Sequence, residues 1–294
     1  LTALKAVKNP VELAGLRAAS KRDSIAWVRF LAWLDAKIAT TPISEMEAEE
    51  EILRYRGELE HFVSPSFRTI AGADANGAMC HYNAPANGGA MIRRDSLFLI
   101  DSGGQYLDGT TDTTRTVCFD EPPAIWKKHY TLVLKGHIRL ATLRFPDGTR
   151  GYQIDAFARE ALWAHGLDYD HGTGHGVGHF LSVHEHPQRI GKDPVMAPIT
   201  AGMTLTNEPG YYEAGRYGIR IENLCEVVED GAGFIRLRDM TLVPLDRRLI
   251  EADLLTEQER AWVDGYHARV RSELTDLISD PLATDWLIAN TAPL

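Results

Sequence analysis

The residues of this chain whose types and spacing could do chemistry are carboxylates and imidazoles set inside strand-like runs. "LIDSGGQYLDGTTDTTRT" carries Asp101 and Asp112 on either side of a turn, and "TNEPGYYEAGRYGIRIEN" carries Glu208 and Glu222 in a similar relation. Between them, "HGTGHGVGHFLSVHEHP" (171–187) packs five of the eleven histidines onto a backbone threaded with glycine. Either glutamate alone would pass for a strand-rim residue. Four acids inside apolar runs are another matter, because a buried carboxylate is costly unless cations neutralise it. Oxygen-rich donors with an imidazole suit divalent Mn, Co, Fe or Zn better than copper or an iron–sulfur cluster. Four negative charges favour two ions over one.

Spacing constrains the geometry. Asp108 sits in an Asp-Gly pair and reads as turn chemistry. A turn centred on Tyr106 and Leu107 sets Asp101 opposite Asp112, whereas one centred on Asp108 and Gly109 offsets them by two pairs and calls for a bulge. Glycines 172, 174, 176 and 178 alternate with His171, Thr173, His175, Val177 and His179, the period of an extended strand. At ~3.3 Å per residue His171 and His175 would stand about 13 Å apart, so with metal–nitrogen bonds of about 2 Å only one of them binds an ion. A glycine-rich strand also arises where backbones pack closely. Arg220, two residues before Glu222 on the same strand face, could fix a carboxylate or make a structural salt bridge.

The elements that must position these groups alternate in kind. Pro10 opens a helical pattern over 10–38 that reads as one or two helices, and a Ser44–Glu47 capping box opens another with an acidic first turn. Strand-like runs occupy 67–119, helical ones 124–144 and 152–166, and two strand-like runs, "MTLTNEPGYY" and "GIRIENLCEVVE", follow. This order predicts an α+β fold of two similar halves around a shared sheet. A second capping box, Thr256–Glu259, starts a helical tail, so the expected division is a catalytic unit over 1–245 and a helical extension over 246–294.

With 294 residues, 44% of them hydrophobic, the chain can bury a full core. A formal charge of -10 excludes a phosphate-backbone binder, so nucleic acid is not an expected partner. Cys80, Cys118 and Cys225 form no CxxC pair and suit a reducing compartment, the cytoplasm by default. No apolar run approaches the ~20 residues of a membrane span, and no leader pattern opens the chain. The leucine start, with a helical pattern close behind it, reads as a piece of something longer.

From "VKNPVEL" through "FRTIAGADANGAMCHYNAP" and the three segments above to the tail, the chain resembles the catalytic domain of the Xaa-Pro aminopeptidases (aminopeptidase P). These belong to the pita-bread metallopeptidases, which include prolidase and methionine aminopeptidase. The resemblance implies two pseudo-symmetric halves around a curved, mostly antiparallel sheet, with helices outside and a C-terminal helical extension. It implies that Asp101 chelates one ion, that His175 and Glu208 bind the other, and that Asp112 and Glu222 bridge them, with manganese preferred. His81 in "CHYNAP", His171 and His184 correspond to active-site histidines that are not ligands. Glu208 would shuttle the water's proton, and His184 or His81 would serve the tetrahedral intermediate or the leaving group. The implied substrates are peptides with proline second, and a homodimer is compatible with the family. His179 and His186 depart from its pattern, where serine and glycine are usual. The long members carry two domains before the catalytic one, outside this sequence. A prolidase-like dipeptidase and a pita-bread binding module without catalysis are the rivals; the full ligand set argues against the second.

Overall fold

A computed structural model describes residues 2–294. The first apolar pattern forms one helix, Pro10–Ile38, started by a reciprocal cap: Asn9 accepts the Val11 and Glu12 amides at 2.9 and 3.0 Å, and Glu12 accepts the Asn9 amide at 2.9 Å. Its buried face, including Trp27, Phe30, Leu31 and Leu34, packs against Ala48 and Ile52 of helix Glu45–Gly57. The same cluster covers an antiparallel sheet of Ile70–Ala73, Leu97–Asp101 and Thr114–Cys118. Only one arm of the expected Ser44 capping box forms, the Glu47 amide donating to Ser44 at 3.1 Å. The acidic first turn serves more than the helix dipole. Glu45 is buried and accepts the Ala73 and Ala90 amides at 2.7 and 2.8 Å and the Tyr82 hydroxyl at 2.7 Å.

The second half repeats the plan. Helices Ala124–Ala141 and Gly151–Trp163 pack on a four-stranded antiparallel sheet ordered Thr204–Asn207, Asn223–Glu229, Phe234–Asp239, Arg144–Pro146. The chain reverses after the second helix at Gly166, whose φ of 70° is cheap only for glycine. Helix Glu257–Leu274 carries both arms of its capping box: the Glu259 amide donates to Thr256 Oγ1 at 3.2 Å and the Thr256 amide to Glu259 at 2.8 Å. This tail, with helix Pro281–Asn290, is no loose appendage. Val263, Val270, Leu274 and Leu287 share one buried cluster with Leu132, Ile138, Ile219 and Ile221. Among the described residues no helix is long and apolar enough to cross a membrane.

One buried polar network ties the long helix to the strand that ends at Asp101. Arg56 donates to Asp23 Oδ1 at 2.6 Å and to the Ser102 carbonyl at 3.1 Å, while Tyr106 and Thr111 donate to the two Asp23 oxygens at 2.8 and 2.9 Å. Removing one partner strands the other charge in the interior. Arg56→Met is expected to lower unfolding free energy by about 3–5 kcal/mol, read as a shift of the urea midpoint at unchanged slope. A loss below about 1 kcal/mol, the worth of an ordinary surface pair, would contradict this.

Candidate metal centre

The two runs expected to carry Glu208 and Glu222 form one hairpin with an interrupted ladder. Asn207 pairs with Asn223 on one side of the interruption and Gly210 with Arg220 on the other, so the register sets Glu208 opposite Glu222. Pro209 has no amide to continue the ladder. Both glutamate amides turn to other strands instead: Glu208 donates to the Thr173 carbonyl at 2.8 Å and Glu222 to the Thr114 carbonyl at 3.1 Å. The break therefore aims two carboxylates at one point and stitches the halves together there.

The first hairpin has a register between the two considered from sequence. Gln105 pairs with Thr110, Tyr106 with Gly109 and Asp101 with Thr114, so the turn is Leu107–Asp108. Asp112 lies two residues before Asp101's partner, which by strand alternation keeps both acids on one face without a bulge between them. Asp108 is a turn residue, paired to Arg22 at 3.1 Å.

The histidine segment is extended at Gly174–Gly176, which pairs with Glu185–Ile190, the strand on which the segment ends. Glycine is required on both sides of His175 because backbones close in: a Cβ on Gly174 would lie 2.0 Å from the Thr206 carbonyl oxygen, and one on Gly176 2.3 Å from that of Glu185. His175 Nε2 stands 3.4 Å from both Asp112 Oδ2 and Glu208 Oε1, and its Nδ1 is 3.0 Å from the Gly176 carbonyl. His171 turns elsewhere, its Nε2 2.8 Å from the Tyr212 hydroxyl.

All five expected ligands and His81, His171, His184 and His186 line one cavity of about 440 Å³. Ligand atoms of Asp112, His175 and Glu222 lie within 4.8 Å of one another. Asp101 is held from behind, Arg220 donating to its Oδ2 at 2.7 Å, while its Oδ1 is buried without a hydrogen-bond partner. Burial and mutual repulsion push Asp112 up to about 6, Glu208 up to about 7, and Glu222 well above the carboxylate range. Burial works against a charge on His175, yet Asp112 and Glu208 raise it to about 9. The chemistry fits divalent cations. Two donors about 2.1 Å from one ion at a tetrahedral angle stand about 3.4 Å apart, and Asp101 Oδ1 is a carboxylate oxygen that only an added ligand would satisfy.

The model of metallopeptidase family M24 matches residues 14–229, and that of the C-terminal region of peptidase M24 matches 233–294. This chain belongs to metallopeptidase family M24. It is 46% identical over 302 residues to a probable Xaa-Pro aminopeptidase P of Laccaria bicolor, covering 99% of this chain and 47% of that protein. A second relative so named, from Arthroderma gypseum, is 46% identical over 306 residues, covering 100% and 48%. This M24 chain thus spans about half the length of these relatives. It superposes on the X-prolyl aminopeptidase of Caenorhabditis elegans, described as a cytosolic enzyme with a di-nuclear active site, at a TM-score of 0.96 and 41% identity, covering 100% of this chain and 49% of the other. The prolidase of Thermococcus sibiricus follows at 0.71 and 28%, covering 85% and 63%. These likenesses establish the pita-bread fold for the M24 chain.

Several residues that shape the site were not singled out from sequence. Tyr212 accepts from Arg220 at 2.7 Å and meets His171, and Thr114 donates to Glu222 Oε2 at 2.6 Å. Thr206 takes the His175 amide at 3.0 Å and donates to Glu208 Oε1 at 3.1 Å. The threonines' strand alternation was a usable signal: Thr206 and Glu208 share a face, as do Asp112 and Thr114.

Proposed function

We propose that this chain carries the centre of a dinuclear metal-dependent aminopeptidase that hydrolyses the N-terminal Xaa-Pro bond of peptides. The observation that carries the reading is the convergence of four carboxylates and one imidazole on a single cavity, with an unpartnered oxygen on Asp101. Asp101 would hold one ion, His175 and Glu208 the other, and Asp112 and Glu222 would lie between them, manganese being the metal we favour. When bound, the ions supply Lewis acidity and lower the pKa of a water that serves as nucleophile.

The chain's own residues do the rest. Glu208, raised toward neutrality by burial, is suited to take a proton from that water and pass it on. Proline's nitrogen carries no hydrogen in the peptide and must gain one to leave. His184 and His81, both exposed at the cavity wall, are placed to steady the developing charge or help deliver that proton. Arg220 fixes one oxygen of Asp101 and leaves the other free, on the side where the substrate's α-amine would anchor. That anchor restricts cleavage to the first residue. The three unpaired cysteines and the cytosolic worm relative support a cytoplasmic location.

The test is release of the first residue from a Xaa-Pro-Xaa tripeptide by manganese-loaded protein, its loss on chelation and its return with metal. Cleavage of Xaa-Pro dipeptides alone would make the protein a prolidase. Saturating metal without hydrolysis of either would leave a binding module and overturn the reading.

A further inference from the structure

The wall bearing His184 is exposed along much of its length, with Val183 its buried apolar side chain. Between Gly178 and Gln188, the side chains of Phe180, Leu181, His184 and His186 are exposed, and Leu181 and Ser182 sit in the left-handed region at φ 65° and 58°. Residues so placed persist only where their surroundings over-determine them. Some restraint is local: the Gly178 amide donates to the Ser182 carbonyl at 2.9 Å and the Leu181 amide to Gln105 at 3.0 Å. Both act before His184; beyond it the backbone pairs with Gly174–Gly176 and Gln188 Nε2 donates to the Thr204 carbonyl at 3.1 Å.

Two lysines from the start of the chain add a side-chain tie beyond His184, Lys5 Nζ standing 3.6 Å from Glu185 Oε2 with its side chain 68% exposed, and Lys8 buried. Lys8 Nζ donates to Glu185 Oε1 at 2.5 Å and to the Ala6 carbonyl at 3.2 Å, with the lysine and glutamate side chains only 1% and 8% exposed. Lys8 is itself fixed, its amide donating to the Gly202 carbonyl at 2.9 Å and its successor Asn9 capping the long helix. Glu185 follows His184, whose ring meets that of His175 edge-on at 4.3 Å. It also pairs with Gly176, next to His175, where the register skips three residues (186–188) of its strand.

We infer that Lys8 is a positioning residue for the reaction, acting through Glu185 to hold His184 over the metal centre. The inference rests on the peptidase reading for its kinetic part only. Lys8→Met should lower kcat by about tenfold to a hundredfold, the scale on which a displaced catalytic group loses its effect, with bound manganese and KM unchanged. In a His184→Ala background the same substitution should cost less than about twofold, because the two act as one unit. Lys8→Arg should keep most of the activity. Independently of catalysis, Lys8→Met should speed amide exchange at 178–188 and leave the long helix protected. Should Lys8→Met prevent folding although Lys5 remains 3.6 Å from Glu185, Lys8→Met with Glu185→Gln removes both charges and carries the same measurements. Equal losses in the wild-type and His184→Ala backgrounds, or unchanged exchange at 178–188, would overturn the assignment. If the wild-type protein cleaves no peptide, the peptidase reading fails alone and the exchange result still decides the tie.

Discussion

Replacing Asp112 or Glu222 by alanine is expected to empty the centre of metal and cut peptide hydrolysis by about a thousandfold or more, the effect of losing several kcal/mol of Lewis-acid stabilisation. Both carboxylates face His175, and each would serve two ions, so neither loss can be made good by the other. Metal content by elemental analysis and kcat on a Xaa-Pro tripeptide check the prediction. Full occupancy and activity in either variant would remove the residue from between the ions. Stability should move in opposite directions with and without metal. In chelator-stripped protein Glu222 is a buried acid crowded by Asp112, Glu208 and Asp101 and held far above its ordinary pKa. Glu222→Gln should then raise the Tm of the stripped protein and lower that of the loaded one. The pH dependence follows the same sign. Asp112 and Glu208, raised to about 6 and about 7, hold protons in the folded state that the unfolded chain has released. These two groups should therefore cost the stripped protein stability as pH rises from about 4 to about 7, read as the difference between wild type and Asp112→Asn with Glu208→Gln, because buried His137, His171 and His267, lowered to about 4, about 3 and about 3, contribute with the opposite sign. Metal binds the ionised carboxylates, so loaded protein should gain stability over that window. Thermal unfolding in chelator and in manganese across this range should show the stabilisation by metal growing as pH rises.

The convergence of Asp101, Asp112, His175, Glu208 and Glu222 on one cavity was legible because their types are rare inside apolar runs and the acids recur in matched hairpins. Helix starts were legible where a side chain alone makes the cap, as at Thr256 and Glu259. Only one arm of the Ser44 box formed, Ser44 being also the end of a short strand paired with Met91, and its neighbour Glu45 is drawn inward by amides from Ala73 and Ala90, distant in sequence. The register of the Asp101 hairpin was missed because a two-residue turn at Leu107–Asp108 carries weaker local chemistry than Asp108–Gly109. The ladder break at Glu208 was half visible in Pro209, but its purpose was not, since the amides it frees pair with Thr173 and Thr114 on other elements. Lys8 and Glu185 are 177 residues apart, and nothing local marks either as buried.

Arg115 carries the second large expectation, and it gives the C-terminal helices a part in the centre. Its side chain is fully buried, and its nitrogens donate to the carbonyls of Thr114, Glu222, Val243 and Pro244 at 2.6–3.0 Å, to Asn223 Oδ1 at 2.8 Å and to the Tyr266 hydroxyl at 3.0 Å. One guanidinium thus joins a first-half strand, the backbone of Glu222 and helix Glu257–Leu274. Arg115→Met leaves several buried acceptors without donors, each worth about 1–3 kcal/mol when unmet. A total loss of about 4 kcal/mol or more is expected, against a whole-domain stability of roughly 5–15 kcal/mol. Arg115→Lys, with three donors in place of five, should fall between. Tyr266→Phe keeps the ring, stacked on Trp262 at 5.4 Å, and should cost only about 1 kcal/mol of stability. It should nevertheless weaken metal binding, because the helix reaches the Glu222 carbonyl only through Arg115. Unfolding midpoints and manganese titrations of the three variants separate the effects. Metal affinity unchanged in Tyr266→Phe would confine the C-terminal helices to stability.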